Sequence, residues 1–287
     1  MSGTLNYTVT PVTQHTGAEV RGLDLREVRD RDTADRLRRV LADKGMIVFR
    51  DQTLDPAAFL RAGQIFGEIM PQTVARFTLA EQPLVGFVSS DDTDKPGGVR
   101  IVRGEQYHTD HSNYAEPPKA TMLHAVALPK VGGDTQFVDV RQAFDELPED
   151  QRRKLTKLRS AHVYESSQSP RKMAALSPEE RAKIPQTVQP LVIRHPENGR
   201  AALYINTARM EGIEGMPQDE GFKLIDELYQ HATQGKYEYR HQWRAGDMVI
   251  WDNRSVMHQA NADYDPSEYR FLYRIMLKGA PLQAATA

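Results

Sequence analysis

The run Tyr269-Arg270-Phe271-Leu272-Tyr273-Arg274-Ile275-Met276-Leu277 limits the fold more than any other stretch of the chain. Its residue types alternate with a period of two, the repeat of a strand and not of a helix. One face carries Arg270, Leu272, Arg274 and Met276, and the other Phe271, Tyr273, Ile275 and Leu277. The second face is wholly uncharged and calls for a covering layer. On the first, two guanidinium groups lie about 13 Å apart at roughly 3.3 Å per residue, a spacing that suits two separate anions. If that face lines a barrel interior, each buried guanidinium needs a partner, and its planar fork binds carboxylates bidentately. If the strand is an edge, the arginines are simply solvated. The strand alone leaves both readings open.

Other segments supply the remaining layers. Tyr237 to Trp243, Asp247 to Trp251, Ala120 to Leu128 and Thr135 to Val138 read as strands, and Met46 to Phe49 as a buried one. Residues 17–25 read as a strand with a turn. Leu191 to Arg194 and Ala202 to Asn206 flank Pro196-Glu197-Asn198-Gly199, the pattern of a hairpin. Asp32 or Thr33 caps an expected helix with Ala34, Leu37, Val40 and Leu41 on one face and Gly45 as its stop. Asp55-Pro56 opens a second helix, expected to run to Gly67; further helices are expected over 141–159 and 218–233. Many strands with helices before and between them predict a mainly β single domain over 1–287, a barrel or double-sheet jelly roll braced by helices. Two irregular segments, 70–106 and 164–187, are expected to act as lids.

Composition removes whole classes of chemistry. The chain has no cysteine, so disulfides, zinc-thiolate sites, iron–sulfur ligation and thiol nucleophiles are excluded. Any metal must be held by His, Asp or Glu. A net charge of -2 gives no bulk reason to expect binding to nucleic acid or an anionic membrane, and Arg152-Arg153-Lys154 with Lys157 reads as a solvated helix face. No apolar run is long enough to span a membrane, and Met1 to Gln14 is polar, so a cytoplasmic protein is expected.

Among nine histidines, His108 stands out. If residues 106–110 are extended, the imidazole of His108 and the carboxylate of Asp110 lie on the same side. The distant His258 would complete a 2-His-1-carboxylate facial set with open coordination positions. Alone, His-x-Asp is a weak signal and is more often an ordinary pair of hydrogen-bonding residues. His111 would point away from Asp110 and is not counted as a ligand.

The ordered set His108-Thr109-Asp110, Gly132-Gly133-Asp134-Thr135, Trp251-Asp252-Asn253 with His258, then Arg270 and Arg274, resembles the Fe(II)/2-oxoglutarate dioxygenases of the taurine dioxygenase and 2,4-dichlorophenoxyacetate dioxygenase group. The likeness runs from Gly17-Ala18-Glu19-Val20 through His195-Pro196 to the terminal strand. It implies a double-stranded β-helix, the cupin-like jelly-roll barrel. It also implies Fe(II) on His108, Asp110 and His258, with Arg270 and Thr135 on the distal carboxylate of 2-oxoglutarate and Arg274 on the anionic group of the substrate. Phe77, Tyr107 and Asn113 are candidate pocket walls, and Trp251 would pack beside the site.

The implied reaction uses O2 to hydroxylate a small organic anion (an aryloxyalkanoate, a sulfonate or another carboxylate) with release of succinate and CO2. Asp110 stands where related halogenases carry a small residue, which favours hydroxylation. The taurine enzyme uses a lid histidine, whereas no histidine lies between His15 and His108 here, so an aryloxyalkanoate or another carboxylate is preferred to taurine. Relatives of this kind form dimers or tetramers, and self-association is expected. A Zn-dependent hydrolase on the same three ligands and a catalytically silent organic-acid-binding barrel are the alternatives.

Overall fold

The structure, a computed structural model, describes residues 6–72, 75–91, 104–170 and 176–286. The strands that build the site are β1 (Thr8–Pro11), β2 (Ala18–Arg21), β3 (Met46–Phe49), β4 (Gln82–Ser89), β5 (Ala120–Ala127), β6 (Thr135–Asp139), β7 (Glu238–His241), β8 (Met248–Asp252), β9 (Val256–Ala260) and β10 (Phe271–Leu277). Among the described residues, one nine-stranded sheet runs β1-β2-β3-β8-β5-β10-β4 and on to Thr78–Leu79, with Ile69–Met70 pairing β10. A three-stranded sheet, β7-β6-β9, faces it. Only β2 and β3 pair in parallel among the strands of these two sheets.

The last strand is therefore interior. Arg274 of β10 stands opposite Leu123 of β5 on one side and Gly86 of β4 on the other, which excludes the edge reading. Its period of two then divides the core. Leu272 packs between the sheets with Met46, Val48, Leu123, Val249 and Trp251 of the large sheet and Phe137 and Val256 of the small one. Ile275 and Leu277 turn the other way, into a layer with Leu37 and Leu41 of α1 (Arg31–Lys44) and Phe59 and Ala62 of α2 (Pro56–Gln64). Full burial of a side chain such as Leu272, with none of its surface exposed, stabilises the fold by about 2 kcal/mol. The arrangement is the jelly-roll barrel with bracing helices.

The helices follow their punctuation with three corrections. The cap of α1 is Asp30, whose extended backbone lets its side chain accept from Thr33 N; Asp32 and Thr33 lie inside the first turn. Gly45 ends that helix at φ 74°. Asp55 and Pro56 open α2 as expected, but it closes at Gln64 and not at Gly67. The expected helix over 141–159 is two helices, α3 (Val140–Asp145) and α4 (Glu149–Leu155), separated at Pro148, and Arg159–His162 is a strand. Proline lacks the N–H that would continue the helix and disfavours helical geometry in the residue before it. The hairpin forms as expected, Val192–Arg194 against Ala201–Leu203. Its strands share a second core with Ile225 and Leu228.

The two expected irregular segments are more regular than their sequences suggest. Residues 70–106 contain β4, paired along β10, while residues 92–103 lie outside the described residues. In 164–187, α5 (Pro178–Lys183) is closed by a capping box in which the Ser177 side chain accepts from Glu180 N and the Glu180 side chain accepts from Ser177 N; residues 171–175 lie outside the described residues. Among the described residues the last α-helix is α6 (Gln218–Ala232). Among the described residues, no helix is long and apolar enough to cross a membrane.

Candidate active site

His108 and His258 come together because their backbones pair across an isolated bridge, His108 N to His258 O at 3.0 Å and His258 N to His108 O at 2.9 Å. Residues 106–110 are thus not a continuous strand; one paired residue suffices to set the ring. The two imidazole centroids are 4.2 Å apart. Nε2 of His108 lies 3.8 Å from Asp110 Oδ1, and Nε2 of His258 lies 3.9 Å from Asp110 Oδ2. The three possible ligand atoms fall within 4.8 Å of one another. Nδ1 of His108 is 2.7 Å from the carbonyl of Gln106, an acceptor only, so that nitrogen holds the proton and Nε2 keeps its lone pair for the centre. The His258 ring is packed between Trp251 at 4.5 Å and Phe137 at 6.4 Å.

Asp110 remains anionic. Burial alone would raise its carboxyl, but the Arg274 guanidinium, followed by His258, His108 and His111, holds it well below the usual carboxylate range. Arg274 Nη2 is 3.0 Å from Oδ1, and the Thr121 hydroxyl is 2.6 Å from Oδ2. His111 has φ 45°, so alternation ends at Asp110. Desolvation, then Arg209 and Arg274, push its imidazole down to about 3 against the pull of Asp110. It is neutral at physiological pH.

Arg270 marks the second end of the site. It is 4% exposed, and its Nε donates to Gly133 O at 3.0 Å. No acid lies within ion-pair distance of it among the described residues. Burial pushes its guanidinium down to about 10, with Tyr264 and Asp134 acting weakly against that. The Gly132-Gly133 turn makes this possible. A Cβ on Gly132 would come 2.3 Å from Asp263 O, and one on Gly133 would come 3.0 Å from Arg270 Nε, while both residues hold φ near +75°, at 80° and 71°. The turn is anchored by Gly133 N to Asp263 Oδ1 at 2.9 Å and by Arg240, which bonds both Asp134 and Asp263. Beside it, Thr135 Oγ1 accepts from Trp243 Nε1 at 3.0 Å. Indole is a donor only, so the Thr135 proton is left to donate to an anion.

The Arg274 end is roofed by the first irregular segment. Gly86 stands opposite Arg274 on the same face, where a Cβ would come 3.2 Å from both the Gln72 side chain and the carbonyl of Phe77. Phe77 thus lies over this end on a short 3-10 turn, with the Arg76 guanidinium 4.8 Å over its ring. Gln72 Nε2 is buried there without a hydrogen-bond partner among the described residues. Asn113 is fully buried; its Nδ2 donates to Pro185 O at 2.9 Å, and its Oδ1 has no partner among the described residues. Tyr107 is a correction. Its ring joins the second core and its hydroxyl donates to Glu238 Oε2 at 2.7 Å, because the residue beside His108 faces the other way.

Three residues with no role assigned from sequence therefore belong to the site: Gln72, Thr121 and Trp243. Thr121 left a signal, as a hydroxyl in the otherwise apolar start of the Ala120 to Leu128 run.

A sequence model of the taurine catabolism dioxygenase TauD, TfdA family matches residues 8–276. The chain is 37% identical over 246 residues to the alpha-ketoglutarate-dependent 2,4-dichlorophenoxyacetate dioxygenase of Burkholderia sp. (strain RASC), covering 82% of each protein. It is 35% identical over 267 residues to the enzyme of the same name from Cupriavidus pinatubonensis (strain JMP 134 / LMG 1197), covering 90% of this chain and 92% of that one. The crystal structure of AAD-2 in complex with Mn(II) and N-oxalylglycine superposes with a TM-score of 0.82 at 26% identity, over 97% of this chain and 99% of that one.

Proposed function

Because the chain belongs to the taurine catabolism dioxygenase TauD, TfdA family and is a 2-oxoglutarate-dependent dioxygenase, we propose that His108, Asp110 and His258 hold its Fe(II). In the same reading Arg270 and Thr135 bind the distal carboxylate of 2-oxoglutarate, and Arg274 meets an anionic substrate. The donor set fits the metal: two imidazole nitrogens, one with its tautomer fixed, and one ionised carboxylate, with no sulfur. Bound there with 2-oxoglutarate and O2, iron supplies the oxidising power that converts a substrate C–H to C–OH with release of succinate and CO2.

The observation that carries the reading is Arg270. A buried guanidinium without an acid partner is costly, and here it faces no acid among the described residues. A dicarboxylate reaching inward from the metal would relieve that cost, with the Thr135 hydroxyl donating to the same group. Trp251, Phe137 and Leu272 keep water from the far side of the ligands. The hydrolase alternative leaves Arg270 and Thr135 without a role, and turnover of 2-oxoglutarate would exclude the silent organic-acid-binding barrel.

The substrate we propose is an aryloxyalkanoate or related small carboxylate. The two 2,4-dichlorophenoxyacetate dioxygenases support that class, as does the unpartnered Gln72 Nε2 donor beside Gly86, opposite Arg274. The described parts of the two expected lid segments are tied together and to the site: the Arg76 to Glu180 ion pair at 3.9 Å links them, and Asn113 fastens the second to the residues after Asp110. Hydroxylation beside an ether oxygen gives a hemiacetal that splits into a phenol and an oxoacid. Succinate and phenol release should be measured with a panel of aryloxyalkanoates and alkyl sulfonates. Stoichiometric phenol from the aryloxy acids is the expected result; succinate release stimulated by sulfonates alone would overturn the substrate class.

A further inference from the structure

Thr121 is fully buried on the inner face of β5, opposite Trp251 on one side and Met276 on the other. A hydroxyl placed there must be satisfied, and its partners form a chain. Trp251 Nε1 is 3.1 Å from Asn253 Oδ1. Asn253 Nδ2 is 3.0 Å from Thr121 Oγ1 and 3.3 Å from the carbonyl of Pro118. Thr121 Oγ1 is 2.6 Å from Asp110 Oδ2.

The direction of every proton in this chain is determined. Indole N–H can only donate and a peptide carbonyl can only accept, so the Asn253 amide has one permitted orientation, Oδ1 toward Trp251 and Nδ2 toward Thr121 and Pro118. Thr121 then receives a hydrogen bond from Asn253, and its single proton goes to Asp110. An ionised carboxylate accepts it. The chain therefore opposes rotation of the Asp110 carboxylate.

We propose that Thr121 is a positioning residue for the metal-binding carboxylate. With Asn253 and Trp251 behind it, it bonds Oδ2 while Arg274 Nη2 lies 3.0 Å from Oδ1, so that the plane of the carboxylate is fixed against the two imidazoles, 3.8 Å from His108 Nε2 and 3.9 Å from His258 Nε2. Trp251 serves two ligands: its indole N–H ends this chain, and its ring rests 4.5 Å from that of His258. The proposal rests on His108, Asp110 and His258 being the metal ligands.

The test compares Thr121→Val, which replaces the hydroxyl by a methyl group, with Thr121→Ser, which retains it. Mn(II) affinity is read from the electron paramagnetic resonance signal of free Mn(II), and the ratio of succinate to hydroxylated product is read in turnover. Thr121→Val should bind Mn(II) roughly 10- to 100-fold more weakly and release excess succinate, while Thr121→Ser stays within about threefold of the parent on the same scale. If Thr121→Val does not fold, Thr121→Ala makes the same comparison without a new methyl contact. Equal Mn(II) affinity in the parent and the variant without the hydroxyl overturns the proposal, as does a serine variant as weak as the valine one. Asp110→Ala is the control: if it binds Mn(II) as well as the parent does, the ligand assignment has failed, and the role of Thr121 with it.

Discussion

Replacing Arg270 with methionine should weaken 2-oxoglutarate binding and leave the ligand-free protein at least as stable as before. Burial lowers the guanidinium from its ordinary 12.5 to about 10, which at about 1.36 kcal/mol per pKa unit is a penalty on the charged form of on the order of 3 kcal/mol. Methionine removes that penalty but also the Nε to Gly133 O hydrogen bond, worth about 1 kcal/mol. The balance favours the variant by roughly 2 kcal/mol at most, a rise of a few degrees in Tm for a chain of this size. Binding moves the other way. Truncating one member of a buried charged pair costs about 2–5 kcal/mol, so the Kd for 2-oxoglutarate should rise between about 30-fold and a few thousand-fold. Anaerobic titration of 2-oxoglutarate into the Fe(II)-loaded protein gives the Kd, and calorimetry of the ligand-free protein gives the Tm. A variant that loses several degrees of Tm and keeps its 2-oxoglutarate affinity would refute the reasoning, because Arg270 would then be a structural residue.

Two further outcomes follow from the same geometry. Arg274→Ala should raise the KM for the prime substrate about 10- to 100-fold, the loss of one charged hydrogen bond of about 1.5–3 kcal/mol, with a smaller effect on 2-oxoglutarate; steady-state kinetics with each varied in turn checks this, and the reverse order would mean that the two arginines have exchanged roles. His162 is fully buried and its imidazole is pushed down to about 3 by desolvation, with Arg209 adding to the effect. The unfolded chain, with its histidine near 6.5, binds that proton first, so the stability is intact above about pH 6.5 and is lost as pH falls toward 3, about 2 kcal/mol of it by pH 5. His162→Phe should flatten the fall in Tm between about pH 7 and 5; an unchanged slope would show that His162 does not carry it.

The parts of the molecule visible in the sequence were those whose physics is local. Period-two alternation in β10 separates the two core layers by itself, and Gly45, Asp55 with Pro56, and the Pro196 to Gly199 turn punctuate elements where the structure has them. Pro148 was equally legible and breaks the helix that apolar spacing suggested. Strand β4 was hidden because Pro83 and Gly86 interrupt its pattern, and pairing with β10 supplies the regularity its own residues lack. Tyr107 misled for a related reason: proximity in sequence to His108 says nothing about which side of the chain it faces. Of the chain of bonds behind Asp110, only the Thr121 hydroxyl in an apolar run was visible, and its partners were not. Thr121 and Asn253 are 132 residues apart in sequence and become partners only when β5 and β8 pair.

The most direct test of the metal and 2-oxoglutarate assignment is an anaerobic difference spectrum, recorded on adding Fe(II) and 2-oxoglutarate to the metal-free protein and to Asp110→Ala. The parent should develop the weak visible charge-transfer band of an Fe(II)-oxoacid chelate, the band should shift when an aryloxyalkanoate is added, and Asp110→Ala should not develop it. A parent protein that binds Fe(II) without the band, or an Asp110→Ala protein that shows it undiminished, would contradict the account.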